Sequence, residues 1–445
     1  MKSPQNSGRI NQQLERRQFI GYALAAGITI AVRRVCAQAT TIDTGDNAAE
    51  AGRSSKDSEQ YAGGRHPQAT HAITMFLCGD VMTGRGIDQV LPHPGNPILF
   101  EGYMKSAAGY VKLAEEANGP IPRPVDFPYI WGDALDELDR RKPDVRIINL
   151  ETAVTRSDDV ANKAVNYRMH PGNIPCITAA NIDCCVLANN HVLDWGYSGL
   201  AETLKTLKDA NIRIAGAGRG IREAQQPAVM TVPEKGRVLV FSFGSETSGI
   251  PWSWAAAPDR PGVNMLPDFS AATVRDIGDN IGKARLPGDI VVASIHWGGN
   301  WGYEVPRGQQ EFAHQLIDEA DVDIVHGHSS HHVKGIEVYK GKLILYGCGD
   351  FLNDYEGISG HEAYRGDLAL MYFASADPAT GGLVSLTMMP LQLRNFRLNH
   401  TSATDASWLR NVLRREGKKF GTSVEQNADN TLTLRWEASP SALKN

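Results

Sequence analysis

Asp323-Ile-Val-His-Gly-His-Ser-Ser-His-His-Val333 is an apolar run that ends in four of the chain's 13 histidines. Such a run, bounded by polar residues, reads as a buried strand with His326, His328, His331 and His332 at its end. Residues i and i+2 of a strand share a face roughly 6 to 7 Å apart, so His326 and His328 can hang over one pocket. That spacing suits a metal centre; the alternative is a polar surface loop.

Working outward, other apolar runs end in polar groups. His71 to Leu77 leads to Gly79-Asp80, and Asp144 to Leu150 ends in Asn149 and Glu151, which share a face. Ile182 to Ala188 delivers Asn189-Asn190-His191 and Asp194, and Asp289 to Ile295 delivers His296-Trp297-Gly298. Helical patterns over Tyr103 to Ala117, Trp131 to Arg141, Ser198 to Ala210 and Gln309 to Ala320 separate these strands, which predicts an alternating α/β fold. Open α/β sheets bind ligands beyond the carboxyl ends of their strands. Asp80, Glu151, Asn190, His296, His326 and His328 therefore form a candidate metal set. Its mixed oxygen and nitrogen donors suit zinc, manganese or iron rather than calcium, as one ion or two. His191, backed by Asp194, is the candidate proton donor to a leaving group. Arg85 is a candidate ligand for a phosphate or carboxylate, or else a structural ion-pair partner. Trp252, Trp254, Trp297 and Trp301 suit a groove for a polymer or sugar, or else pack under long loops.

The chain of 445 residues has a net charge of -5 and is 42% hydrophobic, enough for one large core or two smaller ones. It has no long basic block, so nucleic acid is not an expected partner. Arg16-Arg17 stand before an apolar stretch from Phe19 to Val32, followed by Ala37-Gln-Ala39. The stretch is shorter than the roughly 20 residues needed to span a bilayer. Residues 1–39 thus read as a twin-arginine signal for export to the periplasm or cell surface, with an uncleaved membrane anchor or an ordinary secretory signal as alternatives. Residues 40–70, poor in large apolar side chains, read as a disordered linker. The main domain is expected at 71–400, with a proline-rich insertion at about 91–131, and a C-terminal helix and tail at 401–445. Five of the six cysteines follow the expected cleavage point, an odd number that argues against a full disulfide framework. Cys184 and Cys185 are expected on opposite faces of one strand.

Taken together, Gly79-Asp80-Val-Met, Asn149-Leu-Glu151, Ala188-Asn-Asn-His191 with Asp194 and Gly196, His296-Trp-Gly298 and Gly335 to Tyr346 resemble the CapA-type capsule-biosynthesis proteins. The resemblance covers roughly residues 73 to 355. It implies a role in bacterial poly-γ-glutamate capsule synthesis and export, alongside other capsule-synthesis membrane proteins. It also implies kinship with calcineurin-like metallophosphoesterases and their four-layer α/β/β/α sandwich. Met82 stands where those enzymes carry a histidine, Ser329 where the family does, and Asp350 where the family often has asparagine. Two functions follow as expectations: a metal-dependent hydrolase of phosphoester or amide bonds in an anionic polymer, or a non-catalytic polymer-binding component of a capsule assembly.

Overall fold

The structure, a computed structural model, describes residues 71–437. The expected signal at 1–39, which includes Cys36, the expected linker at 40–70 and residues 438–445 of the expected tail lie outside the described residues.

Apolar runs rich in Val, Ile and Leu form strands because branched side chains fit a pleated surface buried on both faces. Four run parallel: β1 (Ile73–Val81), β2 (Val145–Leu150), β3 (Cys184–Val186) and β4 (Arg213–Ala215). A second group follows: β5 (Ala228–Val232), β6 (Gly236–Gly244), β7 (Asp289–His296), β8 (Ile324–His328), β9 (Ile336–Tyr339) and β10 (Lys342–Leu345). The chain then returns through β11 (Asp350–Leu352), β12 (Leu368–Ala376), β13 (Leu383–Arg394), β14 (Arg397–His400), β15 (Thr422–Gln426) and β16 (Leu432–Trp436). The result is a mixed α/β fold with a ten-stranded sheet ordered β15-β16-β13-β12-β1-β2-β3-β4, where β11 also pairs with β1 and β14 with β13. A six-stranded sheet is ordered β9-β10-β8-β7-β6-β5.

The period of two along each strand divides the core. Ile73, Met75 and Leu77 of β1 pack with Val238, Val240, Ile290, Val292 and Ile324 of the six-stranded sheet. Their alternates Phe76 and Cys78 pack instead with Val111, Leu138 and Leu200 from the helices Ala108–Asn118, Asp133–Arg141 and Gly196–Asp209. Leu239, Val291 and Val325 meet Ile277, Phe312 and Leu316 from the helices Ala271–Ala284 and Arg307–Glu319. Cys184 and Cys185 obey the same rule, one in the core shared by the sheets and one under the helices. All five cysteines among the described residues are free and buried.

Several expected boundaries shift. The helix expected from Tyr103 begins only at Ala108, because Ile98 and Ser106 form a β-bridge that occupies the preceding loop. The strand β5 has no counterpart among the expected elements; it is a short hairpin partner of β6. Beyond His400, a helix (Ala403–Gly417) and β15 and β16 extend the large sheet, β16 pairing with β13. Lys340 and Gly341 both take positive φ (48° and 80°), the geometry of the tight β9–β10 hairpin.

Two Cys-Gly-Asp triplets meet at the end of β1. Asp80 donates its N–H to the Gly349 carbonyl at 3.1 Å, and Asp80 and Asp350 lie in register. A Cβ on Gly79 would fall 1.7 Å from the Gly349 oxygen, so only glycine permits this approach. Gly79→Ala is therefore expected to cost about 3 kcal/mol. Gly299→Ala, where a Cβ would meet nothing within 4 Å, should change stability by less than about 0.5 kcal/mol. Urea unfolding of both variants checks the pair, and a Gly79→Ala protein as stable as the parent would refute the close approach.

Candidate metal centre

Asp80, Asn149, Asn189 and His191 leave β1, β2 and the turn after β3, and a chain of amides fixes them to one another. Asn149 Nδ2 donates to Asp80 Oδ1 at 2.7 Å and lies 3.4 Å from Glu151 Oε2. Asn149 Oδ1 accepts from Asn189 Nδ2 at 3.0 Å, and Asn189 Oδ1 accepts from the His191 N–H at 3.1 Å. All four residues are buried, so each amide orients its neighbours without competition from water.

The imidazoles come from the other sheet. The parallel pairing of β7 with β8 sets His296 beside His328 and Ser294 beside His326. His326 Nε2 lies 2.8 Å from the Cys78 carbonyl, which can only accept, so Nε2 carries the proton. Its Nδ1 then accepts from the Ser294 hydroxyl at 3.0 Å, and Ser294 Oγ in turn accepts from His328 Nε2 at 2.9 Å. This leaves His328 Nδ1 unprotonated, accepting from His296 Nδ1 at 2.7 Å and standing 3.9 Å from Asp80 Oδ1. A metal ligand needs that tautomer.

Two groups of ligand atoms result, Asp80 with His296 and His328, and Asp80 with His331 and Asp350; within each, the atoms lie within 4.8 Å of one another. His331 Nδ1 is 2.8 Å from Asp350 Oδ1. Glu151 Oε1 stands beside them, 3.9 Å from His296 Nε2 and 3.7 Å from His191 Nε2. Asn190 Oδ1 is 3.2 Å from His296 Nε2. His191 Nδ1 is 2.5 Å from Asp194 Oδ2, and Lys163 Nζ reaches Asp194 Oδ1 at 2.6 Å.

Burial governs the charge states. It pushes Asp80 up to about 7, helped by the Asp350 carboxylate, and raises Glu151 well above the usual carboxylate range, helped by Asp80 and Asp350. Burial and neighbouring imidazoles hold His296 and His328 well below the ordinary histidine value. Burial lowers His191 to about 4 against the pull of Asp194. His331 goes the other way, since Asp350 outweighs its burial. A divalent cation would favour ionised carboxylates and neutral imidazoles together, and the mixed oxygen and nitrogen donors fit one.

The structure thus brings Asp80, Glu151, Asn190, His191, Asp194, His296 and His328 to one place. His326, expected as a ligand, lies behind His328 instead: both its ring nitrogens are engaged, by Cys78 and Ser294, so it orients His328. His331 and Asp350 complete the second group, which the strand period could not show because the chain reverses at Ser329, with φ of 100°. Arg85, expected at substrate, is buried and bound to Asp354 and Glu101. Trp297 is likewise a core residue, donating to the Tyr346 carbonyl at 3.1 Å and packed edge-on to Phe269. Lys163 was not foreseen; it arrives on a loop without periodicity.

Two consequences can be measured. Ser294→Ala removes the hydroxyl that sets the His328 tautomer and should weaken divalent-cation binding about 10- to 100-fold in calorimetric titration, with the fold intact; unchanged affinity would refute the relay. Asp354→Ala leaves the buried Arg85 guanidinium with Glu101 as its one carboxylate and should cost about 3 kcal/mol in urea unfolding. A loss below about 1 kcal/mol would show Arg85 free to serve a ligand.

The chain matches the family described as "Bacterial capsule synthesis protein PGA_cap" over residues 74–355. That span contains every residue of both ligand groups. It is 50% identical to the "Probable polyglutamine synthesis accessory protein" of Mycobacterium tuberculosis over 367 residues, 81% of this chain and 96% of that one. It is 28% identical to the "PGA biosynthesis protein CapA" of Bacillus subtilis over 285 residues, 63% of each chain. With the "Capsule biosynthesis protein CapA" of Bacillus anthracis it shares 25% identity over 287 residues, 63% of this chain and 60% of that one. The protein belongs to the bacterial capsule synthesis family PGA_cap.

Proposed function

We propose that the protein is an exported, metal-dependent hydrolase that cuts phosphoester or amide bonds in a capsule, poly-glutamate or other cell-envelope polymer. The observation that carries this reading is the pair of ligand groups that share Asp80. Zinc, manganese or iron suits their donors, and the shared carboxylate favours two ions over one. Bound there, such ions would make water nucleophilic near neutral pH and offset the charge of the attacked group. His191, oriented by Asp194, moves a proton at Nε2 to the leaving group, and an arriving anion favours its charged form. The three large cores, one between the sheets and two beneath helices, support the four-layer α/β/β/α sandwich of the metallophosphoesterases.

Export to the periplasm or cell surface rests on Arg16-Arg17 and the apolar stretch that follows, with an uncleaved N-terminal anchor as the alternative. Among the described residues no helix is long and apolar enough to cross a membrane. Expected partners are an anionic polymer and the membrane proteins of a capsule-synthesis assembly.

A second reading, a non-catalytic polymer-binding or export component, draws on Met82. Its sulfur lies 3.5 Å from the Tyr355 hydroxyl, at the position where a metallophosphoesterase would offer a histidine. Metal content and turnover separate the two. The mature chain, expressed with its own signal and purified without chelator, should carry one or two equivalents of metal and hydrolyse aryl phosphates or γ-glutamyl amides. Asp80→Asn should lose metal, while His191→Ala should keep it and lose turnover about 10²- to 10⁴-fold. Lysine at both Arg16 and Arg17 should hold the protein in the cytoplasm. Trace metal with no turnover would sink the hydrolase reading, and unaltered secretion of the lysine variant would sink the export route.

A further inference from the structure

We infer that Tyr355 is a substrate-contacting residue of the proposed reaction, its hydroxyl donating a hydrogen bond to the oxygen on which negative charge builds when a phosphoryl or carbonyl centre is attacked. This role rests on the hydrolase reading and adds to it a neutral donor from outside the strand ends.

Two hydroxyls share two protons. Among the described residues, the Tyr167 hydroxyl meets one polar group, the Tyr355 hydroxyl at 2.7 Å. The Tyr355 hydroxyl meets that one and, at 3.5 Å, the Met82 sulfur. Tyr167 is 2% exposed, so a proton on its oxygen that pointed away from Tyr355 would be buried without an acceptor. Tyr167 therefore donates and Tyr355 accepts. The second proton, on Tyr355, is left facing a thioether, a weak acceptor. Tyr355 itself is half-buried, so of the two residues it is the one that reaches the solvent side.

The pair spans the candidate site. The Tyr167 ring is edge-on to His191 at 4.3 Å and the Tyr355 ring edge-on to His331 at 5.6 Å. The two hydroxyls thus stand between the candidate proton donor and the group of Asp80, His331 and Asp350. The Arg85 guanidinium lies 4.5 Å from the Tyr167 ring and 5.8 Å from the Tyr355 ring, which holds both in place. Charge gives the spare proton its use. Arg85 and Lys163, the cations beside the site, are already met by carboxylates, Arg85 by Asp354 and Glu101 and Lys163 by Asp194. An anionic oxygen arriving there needs another donor, and a hydroxyl oriented by a second hydroxyl is preorganised to supply it.

Calorimetric titration of the mature chain tests the contact with two probes: orthovanadate, which takes up the five-coordinate geometry of an attacked phosphoryl group, and inorganic phosphate. Vanadate should bind. Tyr355→Phe, which keeps the ring and removes the donor, should weaken vanadate about 10- to 100-fold and phosphate by less. Tyr167→Phe, which leaves the donor but no longer orients it, should weaken vanadate by less than Tyr355→Phe does. No vanadate binding by the parent, equal vanadate affinity in the parent and Tyr355→Phe, or a larger loss in Tyr167→Phe than in Tyr355→Phe would each overturn the assignment. Should Tyr355→Phe fail to fold, vanadate binding untouched by Tyr167→Phe would overturn it as well. Metal content and turnover judge the hydrolase reading separately: a parent that hydrolyses aryl phosphate while its vanadate affinity ignores Tyr355→Phe keeps that reading and removes this one.

Discussion

Three carboxylates and four imidazoles are gathered where water scarcely reaches, and the rest of the molecule is arranged around that constraint. Asp80, His296, His326 and His328 are almost wholly excluded from solvent, with Glu151, Asp350 and His191 nearly so. Each charge taken from water costs several kcal/mol unless its field and its lone pairs are answered nearby. The answer is a shell in which each donor meets an acceptor. The amides of Asn149 and Asn189 hold Asp80 and the turn at His191. A backbone carbonyl and one hydroxyl fix the protons of His326 and His328. Such a shell holds the candidate ligand atoms in place, so an ion bound there would need little reorganisation.

Backbone register makes that shell possible. The pairing of Asp80 with Asn149 on one side and Asp350 on the other places β2 and β11 beside the end of β1. The pairing of His296 with His328 does the same in the other sheet. His326 Nε2 reaches across to Cys78 O and ties β8 to β1, so the two sets of strand ends hold a fixed distance. A slip of one residue in either sheet would turn these side chains to the opposite face and dismantle the whole set.

The strands, and the polar residues that gather at their ends, were legible because each is local. A run such as Ile-Val-Val-Ala-Ser-Ile at 290–295 can only be a buried strand, and a polar residue directly after it must lie at the sheet's rim. The opposite placements of Cys184 and Cys185 follow from the same period. What escaped depends on contacts distant in sequence. His326 and His328 do share a face, as their touch on one serine shows, yet His326 lies one pair deeper and meets Cys78 rather than the rim. His331 takes its place only because the chain reverses at Ser329, and Asp350 enters through pairing with a strand 270 residues earlier. Lys163 and Arg85 show the same limit: nothing in their neighbours tells which carboxylate each will meet.

Arg85 explains why the proline-rich insertion belongs to the site. Its guanidinium binds Asp354, just beyond β11, and Glu101, inside the insertion, while Tyr110 and Tyr167 lie against its face at 3.8 and 4.5 Å. Tyr167 hydrogen-bonds the Tyr355 hydroxyl at 2.7 Å and packs edge-on to the His191 ring at 4.3 Å. Loops at strand ends lack the repeating hydrogen bonds that fix a sheet, so their geometry must come from side chains. An apolar filler would seal this junction at less electrostatic cost, but it would leave the loops free to slide over one another. A buried arginine whose planar donors meet two carboxylates admits one arrangement, and that arrangement sets the wall against which His191 rests.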